Sequence, residues 1–268
     1  METADILVRD YQAKGAVVVR GLVSGQSLAG LSEGIDANLA SPGPRALEAS
    51  GRDDPGRFFE DFRNWQRIDA YRRLVEESPI GELAGRLMGA GTVRFHHDHL
   101  LVKEAGTRQP TPWHQDQPYY NIDGAQTCSL WLPADPVPLA SSLRFVAGSH
   151  LGPWLMPRTF MTDEARWFPA GALAELPDID ADPSAHEILS WALEPGDAIA
   201  FNMLTLHSAA GASTRRRAVS LRLIGDDVTH APRPWKTSPD FPELEGALPA
   251  GAPMDHPLFP VVWPRRSG

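Results

Sequence analysis

Thr111-Pro112-Trp113-His114-Gln115-Asp116-Gln117-Pro118-Tyr119-Tyr120 is the stretch on which the reading of this chain turns. Residues i and i+2 of a β-strand share a face. The spacing therefore predicts that His114 and Asp116 aim one imidazole and one carboxylate at a common point. Those groups are two-thirds of the 2-His-1-carboxylate set that binds Fe(II) on one face and leaves the other positions open. An H-x-D pair alone is a weak signal, and the chain carries competitors. His96-His97-Asp98-His99 contains both His96-x-Asp98 and His97-x-His99. The ordinary reading of His96, His97 and His99 is polar or packed residues, with Asp98 and His99 kept as neighbours of a site.

A third ligand has to come from a distant strand. Leu193 to Phe201 reads as strand, Pro195-Gly196-Asp197 turn, strand. The chain runs on to His207, where the apolar pattern stops and Ser208-Ala209-Ala210-Gly211 leaves room for a ligand. Arg216 to Leu223 then alternates, with Arg216, Ala218, Ser220 and Arg222 on one face and Arg217, Val219, Leu221 and Leu223 on the other. Arg216 is expected to face inward and grip a carboxylate with its two-pronged guanidinium.

Further strands are expected near 92–103, 111–116, 126–134, 141–146, 187–193, 197–202 and 215–225. Before them the pattern predicts a helix over 3–14 and a strand over 16–20. A helix capped by Ser24 and another helix within 67–89 follow, with a Pro/Gly/Asp-rich loop at 41–57 between them. Residues 151–186 read as an insertion with a short helix at 162–174, and 226–268 as a Pro-rich extension held by packing. The expected organisation is one domain over 1–268: a helical flank to about 90, a β-core over about 91–225, and the extension.

Composition narrows the function classes. The chain has 268 residues with 23 Gly and 25 Pro, and that many turn formers without a repeat suits short strands. One Cys excludes an intramolecular disulfide framework and any multi-thiolate zinc site. A net charge of −9 argues against a general nucleic-acid binder. No run approaches the roughly 20 apolar residues of a membrane span, and the N-terminus lacks a secretory pattern, so a soluble cytoplasmic protein is expected.

Taken in order and spacing, these segments resemble the phytanoyl-CoA dioxygenase family of Fe(II)/2-oxoglutarate oxygenases over roughly residues 10–225. Tyr11 with Gly15 to Leu22 is similar to the family's helix–strand entry, and Leu101-Val102-Lys103 followed by Pro112 to Asp116 to its first metal strand. Gly148-Ser149-His150 resembles its P-G-S/T-H turn, with Ala147 in place of Pro. Pro195 to His207 resembles the segment that delivers the distal histidine, and Arg216 follows that histidine by nine residues. Two departures stand out: Ala140 to Leu143 where Asn-Gly is frequent, and Ser208 where Gly is usual.

The resemblance implies a mainly β fold with flanking helices, a double-stranded β-helix or jelly roll of the cupin-like kind. It implies His114, Asp116 and His207 as the metal ligands, and Arg216, Trp131, Lys103 and Gln115 as contacts of 2-oxoglutarate. The implied cofactors are Fe(II), 2-oxoglutarate as co-substrate, and O2. The implied reaction is oxidative decarboxylation to succinate and CO2 coupled to hydroxylation of a C–H bond. Desaturation, cyclisation or epimerisation at the same iron, and a cupin-like metal protein without oxygenase activity, are the alternatives. Asp116 argues against halogenation, because related halogenases lack that carboxylate. His150 is read as structural. The pocket candidates are Tyr119, Tyr120, Asn121, Phe58, Phe59, Trp65, Asp98, His99, Trp154 and Trp235. The expected partner is a free small metabolite, with no nucleic acid and no membrane.

Overall fold

A computed structural model describes residues 2–156, 168–169 and 171–264. In chain order the elements are α1 (Glu2–Lys14), β1 (Ala16–Val19), α2 (Gly25–Ala40), β2 (Leu47–Glu48), β3 (Phe58–Phe62), α3 (Asp69–Glu77) and α4 (Ile80–Met88). Then follow β4 (Val93–Lys103), β5 (Thr111–His114), β6 (Ile122–Asp123), β7 (Thr127–Pro133), β8 (Leu143–Val146) and β9 (Ile188–Leu189). The last are β10 (Ala198–Phe201), β11 (His207–Ala209), β12 (Arg216–Ile224), β13 (Thr229–His230) and β14 (Val261–Trp263).

The large sheet runs β1-β10-β7-β12-β4-β3-β2, with β14 added to β4, and a smaller sheet runs β5-β11-β8-β9. Both are antiparallel. Strand alternation gives the large sheet two buried faces. Cys128, Leu130 and Leu132 of β7 and Val219, Leu221 and Leu223 of β12 turn outward to pack with Leu31, Ile35, Tyr71, Leu74 and Leu87 of the helices. Trp131, Ala218, Ile199 and Phe201 turn inward, where Leu143, Phe145 and Ala209 of the small sheet meet them. Two antiparallel sheets closing on such an interior, with helices on the larger one, form a jelly roll.

Several sequence-based boundaries shift for local reasons. The helix expected within 67–89 is two helices, because Pro79 has no N–H to continue α3 and disfavours helical backbone at Ser78. Ser24 precedes α2 but makes no side-chain cap bond. The 187–193 strand shrinks to β9, and the 111–116 strand ends at His114. No helix forms among 168–169 and 171–174, and the rest of the expected 162–174 helix lies outside the described residues. β3 was not expected, since Phe58-Phe59-Glu60-Asp61-Phe62 is buried on both faces and shows no alternation in polarity. In the C-terminal extension, Phe241, Leu244, Met254 and Phe259 pack on Tyr120, Ile122 and Ile224. Among the described residues no helix is long and apolar enough to cross a membrane.

The Arg216–Arg217 pair fixes the register of β12. Arg217 points out to Asp135 (2.8 Å) and to Asp36 of α2 (2.7 Å), so Arg216 points in. A slip of one residue would exchange the two faces of the whole strand. Leu221 is fully buried under the helices, and Leu221→Ala is expected to cost about 2–5 kcal/mol in denaturant unfolding. The inward Ser220→Ala should cost less than half as much. Equal losses at the two positions would contradict this register.

Candidate metal centre

Two backbone contacts assemble His114, Asp116 and His207. β11 pairs with β5 so that His207 lies directly opposite His114. Beyond the end of β5 the chain turns, and the N–H groups of Asp116 and Gln117 both donate to Met203 O (2.8 and 3.0 Å). Asp116 thus reaches the site from helical-type backbone (φ −73°, ψ −45°) at the start of a short 3-10 turn, not by strand alternation. The Gly148-Ser149-His150 turn holds the approach to His207: Ser149 Oγ donates to Val146 O (2.6 Å) and accepts from Leu206 N (2.9 Å). His150 is tied to the Gln12 carbonyl of α1 (3.1 Å), a structural place.

The ligand-type atoms of His114, Asp116 and His207 all lie within 4.8 Å of one another, and all three residues are buried. His114 Nε2 is 3.7 Å and His207 Nε2 3.9 Å from Asp116 Oδ1. His114 Nδ1 lies 2.8 Å from Pro112 O and His207 Nδ1 2.8 Å from Thr205 O. A carbonyl only accepts, so each Nδ1 carries the proton and each Nε2 offers a lone pair to the shared point. Burial, and then the neighbouring His114, pull the His207 imidazolium down to about 3, which keeps that ring neutral.

Asp116 is held by its other oxygen. Arg222 Nη2 lies 3.1 Å from Oδ2, and Ser129 Oγ donates to the same atom at 3.1 Å. Oδ1 is left to face the imidazoles. Burial opposes ionisation of this carboxyl, but Arg222 and the two histidines outweigh it and hold Asp116 well below the usual carboxylate range. Arg222 also donates from Nε to Tyr120 Oη (2.8 Å) and from Nη1 to Ser220 Oγ. Its register on the inward face of β12 was legible in the sequence, but its pairing with Asp116 was not.

Of the expected 2-oxoglutarate contacts, Arg216 and Trp131 point into the barrel, with the guanidinium 5.7 Å from the Trp131 ring centre. Arg216 is buried, donates to Ser141 O, and has no carboxylate partner among the described residues. Burial alone pulls it down to about 10, still a cation at neutral pH. An unpaired buried guanidinium is costly and calls for an anion, which fits a dicarboxylate co-substrate. Lys103 sits opposite Arg216, but its Nζ is spent on Gln109 O (2.8 Å) and Ala210 O (3.0 Å). Gln115 is likewise committed to Leu204 O (2.9 Å) and Leu155 N (2.8 Å), so it clamps backbone.

The pocket candidates divide by face. Phe58 and His99 point inward, and Tyr119 lies edge-on to His114, ring centres 6.1 Å apart. Tyr120 supports Arg222, and Asn121 Oδ1 is buried with no hydrogen bond among the described residues. Trp235 donates to Pro118 O (3.0 Å), and Trp154 stacks with Arg233 (4.9 Å). Phe59, Trp65 and Asp98 are corrections. Phe59 and Trp65 belong to the core under the helices. Asp98 accepts N–H bonds from Asn64 (2.9 Å) and Trp65 (2.8 Å) on that same outward side. Alternation along β3 and β4 sends Phe59 and Asp98 away from the triad, and the Trp65 N–H bond to Asp98 keeps Trp65 on that side.

Metal binding needs an ionised Asp116, and Arg222 favours that ion. In Arg222→Gln the Asp116 carboxyl is expected to take up its proton at higher pH. Co(II) affinity of the variant should then begin to fall at a higher pH than in wild type as the solution is acidified. Coincident affinity–pH curves would contradict the role given to Arg222.

Comparison with known proteins agrees with this arrangement. The family model described as phytanoyl-CoA dioxygenase matches residues 11–219. A search of curated proteins gives no match. Among solved structures, the chain is similar to the non-heme alpha ketoglutarate dependent carbocyclase SnoK from nogalamycin biosynthesis, with 23% identity, 96% of this chain and 95% of that one covered, and a TM-score of 0.75. It is similar to the epimerase SnoN in complex with Fe3+, alpha ketoglutarate and nogalamycin RO, with 23% identity, 97% and 99% covered, and a TM-score of 0.76. It is also similar to EctD from S. alaskensis with 2-oxoglutarate and 5-hydroxyectoine, with 18% identity, 92% and 83% covered, and a TM-score of 0.63. At these identities the three structures speak for the fold, while the family match spans most of the sequence, and the chain belongs to the phytanoyl-CoA dioxygenase family.

Proposed function

We propose that residues 1–268 form one non-haem Fe(II)/2-oxoglutarate-dependent dioxygenase domain that oxidises a C–H bond of a small molecule. The observation that carries this reading is the buried His114–Asp116–His207 cluster, with both imidazole Nε2 atoms turned toward Asp116 Oδ1, facing the same interior as Arg216, which has no carboxylate partner among the described residues. His114, Asp116 and His207 would hold the iron, and Arg216 the distal carboxylate of 2-oxoglutarate. The bound metal supplies O2 activation coupled to decarboxylation of the co-substrate. The chain supplies the rest. Thr205 O and Pro112 O fix the ring tautomers. Arg222 and Ser129 occupy Asp116 Oδ2, which favours ligation through one oxygen and leaves positions open for co-substrate and oxidant.

Hydroxylation is the primary reading. Ring closure or epimerisation at the same centre is the second, favoured by SnoK and SnoN, a carbocyclase and an epimerase that match almost the full length of this chain. Product mass separates them, since hydroxylation adds one oxygen, ring closure removes two hydrogens and epimerisation changes neither.

Anaerobic Fe(II) and 2-oxoglutarate should give a visible metal-to-ligand charge-transfer band, and His114→Ala should abolish it. A band of undiminished intensity in that variant would overturn the ligand set. Arg216→Ala removes a charge-assisted bond worth about 1.5–3 kcal/mol, so the 2-oxoglutarate concentration needed should rise roughly ten- to a hundredfold. Arg217→Ala should leave it within about twofold, because Arg217 faces Asp135 and Asp36.

A further inference from the structure

The barrel interior holds an acid–histidine pair with no part in holding metal or co-substrate. Glu60 on β3 and His99 on β4 both point inward, with His99 Nε2 3.0 Å from Glu60 Oε1. Their side chains are buried, 4% and 8% exposed. His99 lies directly across from Ser220 on β12, whose hydroxyl accepts from the same Arg222 that grips Asp116. The pair is therefore one strand away from the metal ligands' own support.

Three buried carboxylates cluster on β3 and β4, and two are saturated. Asp61 accepts from Asn38 Nδ2 (2.7 Å), Gly43 N (2.7 Å) and Phe62 N (2.9 Å), and Asp98 from Asn64 and Trp65 N–H groups. Both face the helices. Glu60 faces the barrel, and among the described residues its only ion-pair partner is His99. A carboxylate buried for packing alone is costly with so few donors. With Glu60 Oε1 as the acceptor, the neutral His99 ring, which burial favours, carries its proton on Nε2 and leaves a lone pair on Nδ1. No hydrogen bond to that Nδ1 forms among the described residues. The ring stacks on Phe62 with centres 3.9 Å apart and planes 20° apart, which holds its plane while the Glu60 bond sets which edge faces β3. His96 and His97 differ: their Nδ1 atoms meet each other at 2.9 Å among Tyr120, Phe241 and Phe259.

We infer that His99 Nδ1, aligned by Glu60, accepts a hydrogen bond from a hydroxyl group of the substrate and so selects a hydroxyl-bearing, otherwise apolar molecule. The apolar part follows from the aromatic surroundings, Phe62 beneath His99 and Tyr119, Phe168 and Trp235 in mutual ring contact beside His114. This inference rests on the proposed function, because it takes the space beside the triad as the substrate site.

The probes are 2-naphthol and its methyl ether 2-methoxynaphthalene, titrated into anaerobic full-length protein loaded with Fe(II) and 2-oxoglutarate and read by perturbation of the visible band. Wild type should bind the naphthol at least roughly tenfold more tightly than the ether, the worth of one hydrogen bond. His99→Leu should bring the ratio to about two or below. Glu60→Gln, whose amide oxygen still accepts from Nε2–H, should retain most of it. Near-equal affinities in wild type, or no binding of the naphthol while the band is present, would overturn the inference without recourse to any variant. Absence of the band itself from wild type would instead overturn the proposed function.

Discussion

The pairing of β11 with β5 is the constraint on which the site depends. It sets His207 opposite His114, and the Met203 carbonyl then draws Asp116 in by two N–H bonds. Everything else about the centre is support for that register. Ser149 fixes Leu206, the residue before His207. Gly196, in the turn leading to β10, takes φ 100°, and a Cβ there would come within 2.6 Å of Val23 O. Asp197 beside it bonds Gly21 N (2.9 Å) and Arg20 (2.6 Å), locking β10 to β1.

Electrostatics in the barrel follow one logic. The outward face of the large sheet is mostly apolar against the helices, and its two buried carboxylates, Asp61 and Asp98, are saturated by N–H donors. The inward face carries Arg216, Arg222, Lys103, Glu60 and His99 in a space shared with Trp131, Phe145 and Phe201. Buried charges persist only when paired or ligated. Arg222 is paired with Asp116, and Lys103 is wrapped by carbonyls and pulled down to about 6 by burial. Among the described residues Arg216 has no carboxylate partner and His99 Nδ1 no hydrogen bond, and we propose that small molecules bind against these two groups.

Much of this was legible in the sequence. Alternation over 216–223 placed Arg216 inside and Arg217 outside, and the Pro195-Gly196-Asp197 turn and H-x-D spacing located the strands around the site. Other features needed the fold. Asp116 reaches the site through a turn, which the strand rule for i and i+2 matched for the wrong reason. The large sheet is buried on both faces, so polarity could not tell Phe59, Trp65 and Asp98 from pocket residues, nor reveal β3 and with it Glu60. Arg222 was assigned its face but not its partner, since Asp116 is 106 residues earlier in the chain.

We propose that one buried point, defined by two imidazoles and one carboxylate oxygen, binds the iron while Arg216 binds the co-substrate. An anaerobic crystal structure with Mn(II) and 2-oxoglutarate tests it most directly. Mn(II) is expected on His114 Nε2, His207 Nε2 and Asp116 Oδ1, with Asp116 Oδ2 still on Arg222 and the distal carboxylate of 2-oxoglutarate on Arg216. Metal held by His97 or His99, or a distal carboxylate on Lys103 instead of Arg216, would contradict it.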